Sequence, residues 1–560
     1  MQQGARSALG GGATTTSAVM LVQQAKRDLC GCQLSGLVGF DHDHEHDHHH
    51  HHHRDQSNLN QAQAQAQRPK NERSSAQIPL ASSVSLQSMV RSLPTRNAST
   101  SIPKDVGLQV HHDYGFEVTA NRLKFGRDVI HELGNAMLDE LRLQHITGRR
   151  VMVLTDPRIA KHERFQHGIN SLLAAGLDVS VFQDVAVEPT DDSFLAAAKY
   201  AADGKFDAFV SIGGGSVIDT AKAANLVSTF PHPEGLRAYI NAPIGLAVTP
   251  PGTLKPHIAC PTTSGTGAEC TGFAVFDLVK MKSKTALGSR FLIPSMAIVD
   301  PGFIDTLPPA AVAASGFDVL SHALESYTAR PYNKRPLAAG TTKRNIVRPL
   351  HQGSNPYSDL GCLQALAICG EYLVRAVNDP TDVEARTQMS FAATLAGISI
   401  GNAGTQVPHG LSYPVSGLGV TRSYHPGDGY PAKEPIIPHG FSVMLHAPSS
   451  FLKIAEHEPT KLLRCAETLA RAMGRNVDKV LGNGVARPQD SGAIVHALLV
   501  DIMKGTKVCP SGLAAVGILE SDIPFLVERA VPQKRVLDNA PFAITPTDIA
   551  DIYKNSFKYW

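Results

Sequence analysis

The chain has 560 residues and a mass of 59.8 kDa, enough for two or three domains, with 42% hydrophobic residues to fill their cores. A formal net charge of +2 and a pI near 8.1, with no strongly basic block, argue against a nucleic-acid footprint. No uninterrupted apolar run reaches the length of about 18 residues that a membrane span needs, so none is expected.

Residues 1–104 predict a disordered leader. No acidic residue precedes Asp28, while Arg6, Lys26 and Arg27 stand among Ser, Thr, Gly and Ala, the composition of a mitochondrial presequence. The segment DHDHEHDHHHHHHR then places nine histidines between His42 and His53. Such a tract can chelate metal loosely, but it has no fixed geometry and reads as a low-complexity insertion. The QAQAQAQ run and a Ser-rich stretch continue the disorder. The eight cysteines (Cys30, Cys32, Cys260, Cys270, Cys362, Cys369, Cys465 and Cys509) form no metal-type CxxC pair. They predict reduced, mostly buried thiols.

From about Tyr114 the pattern changes. GRRVMVLTD is a buried apolar run closed by Asp156, LDVSVFQDV is a second strand, and FDAFVSIGGGSVIDTAKAANL is strand, glycine loop and helix in succession. Strands alternating with helices predict a parallel, doubly wound sheet. Gly213, Gly214, Gly215 and Ser216 stand where a strand gives way to a helix, so a pyrophosphate could approach the bare backbone at a helix N-terminus. The spacing is neither G-x-G-x-x-G nor a P-loop, and a tight turn is the plainer alternative. Asp156 could hold ribose hydroxyls or simply end its strand in a turn. In CPTTSGTGAECTGFAVF, Thr262, Thr263, Ser264 and Thr266 form a hydroxyl-rich bend able to donate to a nucleotide.

After about Pro301 strand signals fade. The segment 313–329, AASGFDVLSHALESYTA, predicts an amphipathic helix with Phe317, Leu320, Leu324 and Tyr327 on one face. Asp318 and His322, four residues apart, project together and could take two positions around a divalent cation, or be a surface pair. His409 and His439 are the candidates to complete such a set, each followed by glycine, which allows close backbone packing. Further helices are predicted around 358–378, 381–400, 440–456, 459–474 and 490–504. The break at 330–357 is too rich in Pro, Gly and Asn for helix. It carries Arg330, Lys334, Arg335, Lys343, Arg344 and Arg348. Most read as a solvated basic loop, and Arg348 is the first candidate for gripping a carboxylate with its guanidinium fork. His425, His446 and His457 lack ligand-like spacing and read as structural or exposed.

In order, GGGSVIDTAKA, PTTSGTGAE, KTALGSRFLIPSMAIVDP, GFDVLSHALESYTA and the two PHG segments resemble the iron-containing (metal-dependent) alcohol dehydrogenase family, from about Tyr114 to the C-terminus. RPLHQGSNPYSDL, GNAG, HGLSYPVSG and the long spacer before IPHG most resemble its hydroxyacid-oxoacid transhydrogenase branch, which is mitochondrial. The resemblance implies an α/β NAD-binding domain at 105–300 and an all-α metal-binding domain at 301–560, a dehydroquinate synthase-like fold with its active site in the cleft. It makes Asp318, His322, His409 and His439 the metal ligands, for iron before zinc. It places Gly214, Gly215 and Ser216 at the pyrophosphate, Thr262, Thr263 and Thr266 on the nicotinamide side, Asp156 at the adenosine ribose, and Lys284 at another cofactor contact.

Three positions depart from the family pattern. Tyr413 stands where many relatives carry a second histidine near the nicotinamide, and its phenol could still hydrogen-bond substrate. His409 and His439 are separated by 29 residues, roughly twice the usual spacer. Glu188 stands where relatives often have asparagine.

The implied activity moves a hydride from 4-hydroxybutyrate to 2-oxoglutarate through bound NAD, in the mitochondrial matrix. Its partners are small carboxylates, without nucleic acid or membrane, and the sequence leaves homo-oligomer formation open. An NADH-releasing alcohol dehydrogenase of the same family is the near alternative, and a metal-buffering protein built on the histidine tract the distant one.

Overall fold

The computed structural model describes residues 111–560, except positions 243, 280–282, 344, 420, 428, 431, 433 and 483. The leader, the histidine tract, Cys30, Cys32 and Arg344 lie outside the described residues.

Six strands form one parallel sheet: β1 (Arg122–Phe125), β2 (Arg150–Leu154), β3 (Asp178–Phe182), β4 (Ala208–Gly213), β5 (His257–Pro261) and β8 (Met296–Val299). Their order is β1-β8-β5-β4-β2-β3, and β6 (Phe273–Leu278) with β7 (Ser283–Gly288) makes a separate antiparallel hairpin. Alternation along the strands feeds two cores. Val151 and Val153 of β2 pack toward α1 (Leu133–Leu143) and α2 (Glu163–Ala174). Met152 and Leu154 pack toward α3 (Asp191–Gly204) and α4 (Gly215–Thr229). With both faces covered, the central strands must be apolar throughout, which is why they read as continuous hydrophobic runs. From β2 the chain steps to β3 at one edge and returns as β4 on the other side of β2. The crevice between the ends of β2 and β4 is therefore a topological switch point, where open α/β sheets bind ligands.

Beyond β8 the regular elements are helical among the described residues. They are α5 (Pro309–Thr328), α6 (Pro356–Asn378), α7 (Val383–Ala403), α8 (Val407–Gly417), α9 (His439–Met444), α10 (Ala447–Ala455), α11 (Pro459–Ala472), α12 (Ser491–Gly505), α13 (Ile523–Ala530), α14 (Lys534–Leu537) and α15 (Pro546–Lys554). Pro308 and Pro309 open α5 as predicted. The helix is not amphipathic toward water, however. Every residue from Gly316 to Thr328 is buried, with α6, α7 and α9 packed around the helix. Its polar stripe faces the interior of a site instead.

The predicted helix at 440–456 is two helices, with His446 at the N-cap position of α10 and Pro448, which lacks a backbone N–H, in its first turn. Helix α8 is hidden in the sequence by its glycines and prolines, and it runs through Pro414. The stretch 330–357 holds a short turn at Tyr332–Lys334 and is otherwise irregular among the described residues up to Asn355, which caps α6; Pro356 and Tyr357 already belong to that helix. Asp359, Glu371 and Arg375 interrupt α6, so no apolar run spans it, yet by length and mean composition alone it could cross a membrane. Here its apolar side chains, among them Cys362, Leu366, Cys369 and Leu373, belong to the helical core. The six described cysteines are all buried and free.

One close approach sets the geometry of the helical half. A Cβ added to Gly440 would lie 1.8 Å from the Ala314 carbonyl oxygen, so α9 rests directly on the backbone of α5. Gly440→Ala should therefore cost about 3 kcal/mol in denaturant unfolding. Unchanged stability would show that this backbone contact does not exist.

Candidate metal centre

Helix α5 presents Asp318 and His322 from successive turns, both buried. Helix α8 carries His409 in its first turn, just after Pro408, and α9 opens on His439 just after Pro438. The three helices bring one Nε2 each from His322, His409 and His439 to 3.3, 3.3 and 3.6 Å from the same atom, Asp318 Oδ1. Donor atoms of Asp318, His409 and His439 all lie within 4.8 Å of one another. Asp318 Oδ1 and His409 Nε2 are buried without a hydrogen-bond partner among the described residues. Leaving such atoms unpaired is expensive. Separations of this size are also what bonds of about 2.1 Å from one ion would leave between neighbouring ligands. The residues fit a divalent ion.

Electrostatics point the same way. Burial would raise the Asp318 carboxyl, but His322, His439 and His409 outweigh it and hold the group well below the usual carboxylate range. Burial pushes His322 down to about 3 and lowers His439 as well, leaving neutral rings with lone pairs to offer. His409 moves upward: burial opposes its charge, and Glu325 prevails.

Glu325 escaped the sequence reading. It is wholly buried, and its Oε1 lies 2.6 Å from His409 Nδ1. Its Oε2 accepts from the backbone N–H of Gln406 at 2.7 Å and of His409 at 3.3 Å. With Nδ1–H given to Glu325, the His409 lone pair sits on Nε2, facing the cluster. The available signal was spacing: Glu325 follows His322 by three residues and Asp318 by seven, on one helical stripe.

The glycine turn and the hydroxyl-rich loop lie next to this cluster. Helix α4 begins at Gly215, capped by Gly214 without a side-chain cap. Cβ atoms added at Gly214 and Gly215 would meet Thr263 Cγ2 at 3.3 Å and Thr266 Cγ2 at 2.8 Å. The Thr262 N–H donates to Gly213 O at 3.0 Å. The glycine turn and the hydroxyl loop therefore touch, with Ser216, Thr263 and Thr266 half-buried and Thr262 buried. The same loop reaches the metal helix, because a Cβ at Gly265 would stand 2.9 Å from Ser315 Cα. Tyr413 lies one turn beyond His409, its ring 6.5 Å from that of His439 and nearly parallel.

Other predicted residues have different partners. Asp156 sits at the end of β2, where its Oδ1 accepts from the N–H groups of Arg158 (2.9 Å) and Ile159 (3.0 Å), forming a turn. The Lys284 ammonium is ion-paired with Glu188 and, at 3.2 Å, with Asp277. Burial opposes that charge, and the two carboxylates still raise its pKa. Glu188 holds a left-handed backbone, φ 56°, a conformation easier for asparagine. Arg348 is not brought into the cluster. Its guanidinium donates to Asp113 Oδ1 at 2.9 Å and Gly115 O at 3.0 Å and lies over the Tyr114 ring, pinning the segment that precedes β1. Of the histidines read as structural, His446 is buried edge-on to Tyr553 and His457 stacks on Phe542.

Comparison with known proteins agrees with this architecture. Residues 120–301 match the family described as iron-containing alcohol dehydrogenase, and residues 350–557 its C-terminal counterpart. The "Hydroxyacid-oxoacid transhydrogenase, mitochondrial" of Mus musculus is 42% identical over 448 residues, covering 80% of this chain and 91% of the relative. The crystal structure of a 1,3-propanediol oxidoreductase shares the fold with a TM-score of 0.65 at 24% identity, over 79% of this chain and 100% of that one. So does a sulfoacetaldehyde reductase from Bifidobacterium kashiwanohense solved with NAD+, with a TM-score of 0.60 at 23% identity, over 80% and 99%. The chain belongs to the iron-containing alcohol dehydrogenase family and is an oxidoreductase.

Because Glu325 fixes the His409 ring, Glu325→Gln should weaken metal binding on the order of 10- to 100-fold. Metal retention after dialysis against graded chelator measures this. Full retention would reduce Glu325 to a packing residue.

Proposed function

We propose that this protein is a hydroxyacid-oxoacid transhydrogenase of the mitochondrial matrix. It oxidises 4-hydroxybutyrate to succinate semialdehyde and passes the hydride through bound NAD to 2-oxoglutarate, giving 2-hydroxyglutarate. The observation that carries the reading is the convergence of Asp318, His322, His409 and His439 beside the contact between glycine turn and hydroxyl loop. The mouse relative's name supports the substrate class and the compartment.

In this reading residues 105–300 bind NAD and residues 301–560 bind the metal, iron in preference to zinc. A divalent ion there, when bound, supplies a Lewis acid for an alcohol or carbonyl oxygen, and NAD carries the hydride. The chain's own residues do the rest. The N-terminus of α4 with Gly214, Gly215 and Ser216 receives the pyrophosphate. Thr262, Thr263 and Thr266 orient the nicotinamide side, and Asp156 keeps one carboxylate oxygen for the ribose. Lys284, held by Glu188 and Asp277, brings its stem to the cofactor rather than a free charge. Tyr413 offers its hydroxyl to the substrate oxygen in place of a second histidine. His439, the most exposed of the four ligands with 30% of its side chain accessible, marks the open side where substrate enters.

Two experiments test this. Purified protein should consume 4-hydroxybutyrate only when 2-oxoglutarate is present, without free NADH appearing; NADH accumulating with no oxo acid would make it a dehydrogenase that releases its cofactor. His439→Ala should lose both bound metal and turnover, and full activity in that variant would remove His439 from the site.

A further inference from the structure

A hydroxy acid whose oxygen lies at the Asp318 cluster carries its carboxylate a few atoms away, and a cation must meet it there. Arg348 is held by Asp113, and Lys284 by Glu188 and Asp277. Lys222, the buried lysine of α4, is paired with Asp219 and donates to Phe273 O at 2.6 Å. None of the three is free for substrate.

Arg535 differs in each respect. It lies on α14, which is pressed against the His409 helix: a Cβ at Gly410 would meet Leu537 Cδ2 at 2.5 Å. It is exposed, and among the described residues it forms no ion pair. Its guanidinium sits 5.0 Å above the centre of the Phe273 ring, which fixes the plane of the fork without using its N–H donors. The other neighbour of that ring is His351, with centroids 4.3 Å apart. The His351 ring fills the space left by Gly404, whose added Cβ would lie 2.7 Å from His351 Cγ, two residues before Gln406 leads into α8. His351 Nε2 is buried with no hydrogen-bond partner among the described residues. Burial, then the charges of Arg535, His409 and His322, hold the His351 ring well below the usual imidazole range.

We propose that Arg535, stacked on Phe273, is the anchor for the substrate carboxylate, and that His351 Nε2 is the second polar contact on the same side of the metal cluster. A planar fork without a competing acid suits a carboxylate, which it can hold in bidentate fashion. A substrate is then held at two points, oxygen at the cluster and carboxylate at Arg535, which selects hydroxy acids over plain alcohols. The inference rests on the oxidoreductase site proposed above and names the residues that recognise its substrate.

The test compares 4-hydroxybutyrate with butane-1,4-diol, its uncharged counterpart, in wild type, Arg535→Met and Arg535→Lys. In Arg535→Met the acid-to-diol ratio of kcat/KM should fall on the order of 10- to 100-fold, mainly through KM for the acid. Arg535→Lys, keeping charge but not the fork, should fall between. Succinate, a non-reacting dicarboxylate, should bind wild type by calorimetry, with its Kd rising by a similar factor in Arg535→Met. His351→Phe should lower the ratio in the same direction and by less, and it tests the anchor independently should Arg535→Met not fold. An unchanged ratio in the variants, or equal losses for acid and diol, would overturn the proposal. Wild type that oxidises the acid while releasing NADH would instead refute the transhydrogenase reading and leave this anchor standing.

Discussion

Asp318 Oδ1 is the point on which the site depends. It is a buried carboxylate oxygen facing three imidazole nitrogens that arrive on three different helices. Such an arrangement is unfavourable as bare protein, because it leaves polar atoms dry and unpaired, and it becomes favourable when an ion takes the space between them. Much of the surrounding packing serves that convergence. Gly440 lets α9 lie on α5, Gly410 lets α14 lie on α8, and Glu325 with Gln406 ties the start of α8 to α5. Metal affinity and the stability of the helical half are thereby linked.

The α/β half is held to the same helix by a chain of close contacts. The turn after β4 touches the hydroxyl loop after β5, and that loop touches α5 one turn before Asp318. Each contact needs a glycine at the crossing, so small residues fix how near the switch point stands to the Asp318 cluster. The Lys284–Glu188 pair adds charge at this junction. There a left-handed backbone position carries the acid that pairs with the lysine.

What could be read in the sequence follows from how local each signal is. Fully buried parallel strands announce themselves as apolar runs, and Asp318 with His322 share one helix, so the fold and half of the converging cluster were legible directly. His409 and His439 were legible through their following glycines and through family likeness. Glu325 was missed because a glutamate on a helix ordinarily signals solvent, whereas α5 is enclosed on all sides. Arg348 stood out because a basic stretch without acids looks free. Its partner, Asp113, lies 235 residues earlier, a pairing no local pattern reveals. Arg535 gained its candidacy from an aromatic ring and a helix contact that exist only in three dimensions.

X-ray absorption spectroscopy of the protein as purified tests the central claim most directly. The account predicts a first shell of three imidazole nitrogens with carboxylate and solvent oxygen at roughly 2.0–2.2 Å and no sulfur. A shell containing sulfur, or one made of imidazoles alone as the tract at 42–53 would supply, would contradict it.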